Sequence, residues 1–257
     1  MNLIQAESWL FNGSVENETK LKPLCQQVET HFQLPARRLC RYFATTEDVW
    51  LIRIIGKNYR GVHIPYAARQ ISPDLQQCFF HRLTGFPTNV TFENTIAFDN
   101  LIYIRASTCA DLNTGFVTTY AHELQHFVQH GTMPRLLTVN KVLYDNLKKF
   151  EPNTIPTDVP SEREANIVSK RVAEKICGVE DVRRFAEERV AVMEKAGEHD
   201  ERDRWIFFRD VPSSTDPTYL ADTLRLVEKY KTVLDFGIDV NQPEWWLGTV
   251  DSQPIAL

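Results

Sequence analysis

The chain has 257 residues, of which 43% are hydrophobic, 11% aromatic and 25% charged, a balance that excludes intrinsic disorder as the main state and any fibrous class. Against 29 Lys and Arg stand 34 Asp and Glu, a net charge of -5, which argues against a phosphate backbone as the principal partner, so no direct nucleic-acid binding is expected. No uncharged apolar run approaches the roughly 18 residues that a membrane span needs, and the opening MNLIQAESWLFNGSVENETK has no basic stretch followed by an apolar one that would read as a secretory signal. Five widely spaced cysteines without a CxxC pair suit reduced thiols in a cytoplasmic protein better than a disulfide framework or a thiolate zinc site. The N-x-S/T triplets at Asn12, Asn17 and Asn89 carry little weight without a secretory route.

In chain order, Leu21, Leu24, Cys25, Val28 and Phe32 recur at helical spacing and predict a helix over residues 17–32. Residues 49–55 and 59–64, β-branched and aromatic around Gly56-Lys57-Asn58, predict a hairpin. Ser72 and Pro73 start a helix that Gly85 closes. Strands follow at 89–92 and 101–105, the second with alternating side chains. From Thr114 to His130 a helix is expected, with Val117, Tyr120, Ala121, Leu124, Phe127 and Val128 on one side and Gly131 and Pro134 beyond its end. Further helices are expected at about 135–150, 160–177, 180–196 and 217–236, bounded by Pro160, Gly178, Gly197, Asp216, Pro217 and Gly237. The fold class is α+β: one domain over 1–257, with a sheet-bearing half at 1–134 and a helical half at 135–257.

The helix at 114–130 carries His122-Glu123-Leu124-Gln125-His126, an H-E-x-x-H motif. Residues four apart on a helix are one turn and about 40° apart, so two imidazoles converge on one ion about 2 Å from each nitrogen. Glu123 lies too far round to coordinate with them and is suited to accept a proton from water at the metal. A catalytic zinc (Zn2+) needs a third protein ligand, and Pro160-Ser161-Glu162-Arg163-Glu164-Ala165-Asn166 offers one. Glu162 completes a His-His-Glu set. Asn166, four residues on and on the same face, is placed to support a histidine ring as a neighbour of the ligands, the small Ala165 permits close helix approach, and Glu164 is the second choice. His130 lies about 12 Å along the axis from His122, too far to share one ion. It suits a helix C-terminus, where a cationic imidazole is favoured.

H-E-x-x-H followed by E-x-x-A-N resembles the gluzincin branch of the zinc metallopeptidases. More narrowly, HELQHFVQHG with SEREANIVSKRVAEKIC is similar to the bacterial ImmA/IrrE-type metallopeptidases, across about residues 114–177. The metzincin pattern is absent, since Gln129 and Met133 stand where its glycine and last histidine belong. The resemblance implies a zincin-like fold, a small mixed or antiparallel sheet with the H-E-x-x-H helix, and a third-ligand glutamate on a second helix. It also implies that the strand at 101–105 is the edge along which an extended peptide pairs.

The function that follows is zinc-dependent hydrolysis of a protein or peptide substrate, with His122, His126 and Glu162 as ligands and Glu123 as general base. Two rivals are a catalytically silent zincin-like regulatory protein and a metal-dependent hydrolase of a non-peptide amide. Oxyanion-stabilising candidates are His199, Tyr219, Tyr230 and Tyr144, in no order. The charge-dense EHDERDR at 198–204 reads as a solvated loop, the pair Trp245-Trp246 as the cover of a core edge, and the final DSQPIAL as a loose end.

Overall fold

A computed structural model describes residues 8–12, 15–35, 39–44, 60–65, 100–105, 108, 113–237 and 239–241. The expected strands at 49–55 and 89–92, the helix from Ser72, Trp245-Trp246 and the final DSQPIAL lie outside these residues. The class is α+β. The chain divides into two compact units, residues 1–127 and 128–257, and the division falls inside a helix.

In the first unit, four strands among the described residues form one mixed sheet. They are β1 (Ser8–Asn12), β2 (Leu39–Ala44), β3 (Gly61–Pro65) and β4 (Asn100–Ile104), in the order β1-β2-β4-β3. β1 and β2 pair in parallel, as do β2 and β4, while β3 runs antiparallel to β4 with Gly61 opposite Ile104. Helix α1 (Val15–Glu29) makes the crossover between β1 and β2, as a parallel pair requires. Its buried Leu21, Cys25 and Val28 hold it in place, although Pro23 lies within it.

The strand at 101–105 is not an edge. β4 pairs on both sides, and every residue from Asn100 to Ile104 is buried. The run Leu-Ile-Tyr-Ile is therefore a strand covered on both faces, the usual state of parallel sheet interiors, and alternation was the wrong guide to it. Among the described residues the edge on that side is β3.

Aromatic packing fixes the next helix, α2 (Thr114–Thr132), against the sheet. Phe43 of β2 lies 6.0 Å from Phe116 and 5.9 Å from Tyr120, ring centre to ring centre. Beside them Arg41 Nε donates to Glu29 Oε1 at 2.6 Å and to the Tyr120 hydroxyl at 3.0 Å. The guanidinium lies 4.5 Å from the Trp9 ring centre, and Tyr120 donates its own proton to Glu29. The buried charge of Arg41 is thus met by a carboxylate, a phenol and an aromatic face.

The second unit is helical: α3 (Pro134–Phe150), α4 (Pro160–Cys177), α5 (Val179–Ala196), α6 (His199–Asp210) and α7 (Tyr219–Tyr230). Leu136, Val139, Leu143 and Leu147 form the buried stripe of α3, packed with Val159, Tyr219, Val227, Tyr230 and Phe236. Two expectations are corrected. The charged segment at 198–204 is helix, not loop, because it opens α6, whose Trp205 and Phe208 are buried. Gly197, at φ 73°, ends α5 in the left-handed conformation, and Trp205 then meets Phe185 of α5 edge-on at 5.3 Å.

The last helix spans 219–230 rather than 217–236. Leu234 and Phe236 both reach the core cluster, and residues two apart on a helix point about 200° apart. The chain therefore leaves the helix to bury both.

Candidate metal site

Asn113 starts α2: its side-chain oxygen accepts the Gly115 N–H at 2.8 Å, an N-cap bond. The helix runs through Gly131 to Thr132, and Pro134 begins α3 as a first-turn proline. Residues 114–125 are buried all round, so α2 is a central helix rather than a one-sided one. His122 and Glu123 are only 6% and 7% exposed, which a solvated face of incidental histidines would not be.

The two imidazoles converge. Nε2 of His122 and Nε2 of His126 are 3.1 Å apart, with the ring planes at 85°. Two nitrogens each about 2.0–2.1 Å from a tetrahedral ion are separated by roughly 3.3 Å, so the spacing fits two ligands of one metal. Glu162 provides the third group: ligand atoms of His122, His126 and Glu162 all lie within 4.8 Å of one another. This group can hold a metal ion, and two imidazoles with one carboxylate are an ordinary donor set for a catalytic one.

The start of α4, which carries Glu162, is pinned from two sides. The Ser161 N–H donates to Asn140 Oδ1 at 3.2 Å, satisfying one of the amides that a helix N-terminus leaves open. Asn140 is itself held by its Nδ2 bonds to the Leu136 carbonyl and Thr223. From the last turns of α2, Gln129 Nε2 donates to the Ser161 carbonyl at 3.0 Å and to Glu164 Oε2 at 2.7 Å. Glu164, the second-choice ligand, is thus engaged by Gln129. Asn166 is buried and donates Nδ2 to the Glu162 carbonyl at 2.7 Å, one turn back on its own helix. His130 occupies the last turn of α2.

The four oxyanion candidates separate by environment. His199 is exposed at the first residue of α6, and Tyr144 is 39% exposed. Tyr230 donates to the Glu151 carboxylate. Tyr219 is buried, and its hydroxyl has no hydrogen-bond partner among the described residues. Burial first, and the charge of Glu164 second, push its phenol well above the ordinary range, so it stays a protonated donor.

Gln129, Asn140 and Gly61 of β3 are the site neighbours that sequence reasoning missed. A glutamine on a helix is ordinarily solvated, and the partner of Gln129, Ser161, lies far along the chain. For Gly61 a signal existed: a glycine inside a strand pattern marks a close approach. Comparison of the chain with family models, with characterised proteins and with solved structures finds no match.

Proposed function

We propose that the protein is a zinc-dependent, zincin-like endopeptidase that hydrolyses peptide bonds of a protein or peptide substrate. The observation that carries this reading is the convergence of His122, His126 and Glu162, with the Glu123 carboxyl group buried next to the first ligand on the same helix. Zinc, when bound, supplies a Lewis acid that polarises a carbonyl and makes water acidic near neutral pH. His122, His126 and Glu162 would hold it. Glu123 takes a proton from the attacking water and returns it to the departing amine, as one base acting in both directions. Its burial keeps competing water away from that transfer.

Among the described residues the sheet edge beside Glu123 is β3, not the strand at 101–105 that sequence reading favoured. A strand edge presents alternate N–H and C=O groups to a peptide. No helix among the described residues is long and apolar enough to cross a membrane; five widely spaced cysteines without a CxxC pair suit a reducing cytoplasm.

Metal removal tests the reading. Treatment with phenanthroline is expected to abolish cleavage of a labelled protein substrate, and added zinc to restore it. Cleavage that persists in the metal-free protein contradicts the assignment.

A further inference from the structure

We propose that Gly61 is a positioning residue for Glu123, a role that rests on the peptidase reading above: the bare backbone of β3 at this point is the wall against which the base is set. Gly61 is buried, and three side chains crowd its face. A Cβ placed there would lie 2.8 Å from Ile104 Cδ1, 2.9 Å from Thr119 Cγ2 and 3.2 Å from Glu123 Cγ.

Backbone conformation is not what requires glycine here. Gly178, Gly197 and Gly237 have φ of 94°, 73° and 68° and open space around them, whereas Gly61 is absent from the positive-φ set and is defined by contact. The neighbours differ in their freedom to yield. Ile104 is fully buried in β4. Thr119 is pinned by its hydroxyl, which donates to the Gly115 carbonyl at 2.8 Å, so its methyl is held toward β3. Glu123 Cγ is placed by χ1 alone, so the few tenths of an ångström that it must yield at 3.2 Å swing the whole carboxylate beyond it. Misplacing a catalytic group by about 1 Å costs about 10²-fold in rate, whereas neither His122 nor His126 is among the three side chains nearest a Cβ at position 61, so metal binding is expected to persist.

The test uses the zinc-loaded full chain with fluorescein-labelled casein as the probe. Gly61→Ala is expected to retain stoichiometric zinc and its KM for casein while kcat falls by about 10²-fold. Adding Thr119→Ser and Ile104→Val removes the other two contacts; melting temperature is then expected to recover while kcat stays low, because the contact with Glu123 remains. Recovery of kcat together with stability, or loss of zinc from Gly61→Ala, overturns the proposal. A melting cycle needs no substrate. Gly61→Ala is expected to lower Tm by less in a Glu123→Ala background, where Cγ is gone, than in the wild type; an equal drop in both overturns it. Zinc-loaded wild type that leaves casein intact counts against the peptidase reading alone, and the melting cycle then decides the contact with Glu123.

Discussion

Glu123→Gln is expected to retain its zinc and to cleave peptide about 10²–10⁴-fold more slowly than the wild type, the range that a positioned general base contributes. The substitution keeps the shape of the side chain, including the Cγ that packs on Gly61. It removes the negative charge and with it the capacity to accept a proton. The ligands are untouched, since His122, His126 and Glu162 form the metal-capable group without Glu123. An interaction made only in the transition state lowers kcat and kcat/KM together, so KM should change little. Metal content and steady-state kinetics on the same preparation check this. Equal rates in variant and wild type would remove Glu123 from the chemistry.

The second large effect concerns stability. Phe208→Ala is expected to destabilise the helical unit by about 3–5 kcal/mol, the usual cost of emptying a fully buried aromatic position. Phe208 has no exposed surface, and its ring lies 5.3 Å from Trp205, which in turn meets Phe185 of α5. α6 depends on these anchors because most of its other residues are charged. Its ion pairs, such as Arg209 with Asp210, are at the surface and add little. Urea unfolding followed by circular dichroism reads the effect, with Val192→Ala, at a 50% exposed position, as the control. A midpoint shift no larger than that of the control would show that α6 is held by something other than its apolar face.

What was legible in the sequence was local. Pro160 at the first turn and Gly178 just past the end, at φ 94°, bracket α4 at the expected residues. The two histidines read correctly as one helical turn apart because helix geometry alone sets that spacing. What was not legible depended on distant partners. Leu-Ile-Tyr-Ile at 101–104 looks the same at an edge as in a sheet interior until β2 and β3 are known to flank it. EHDERDR looks solvated until Trp205 and Phe208, which follow it, are seen to bury the helix it begins. The end of α7 was set by Phe236, whose pull toward the Tyr230 cluster no periodicity records. At the site, the H-E-x-x-H residues and Glu162 could be named in advance, but the clasp of Gln129 and Asn140 on Ser161 joins residues far apart in the chain, and no motif marks it.

The proposed function has His122, His126 and Glu162 bind one zinc ion. Its most direct test is the metal content, by inductively coupled plasma mass spectrometry, of the purified wild type and of Glu162→Ala after dialysis. Stoichiometric zinc is expected in the wild type and its loss from the variant, because a carboxylate ligand would be gone while the fold around Ser161 remains. A wild-type protein without bound metal, or a Glu162→Ala variant that holds zinc as tightly as the wild type, would contradict it.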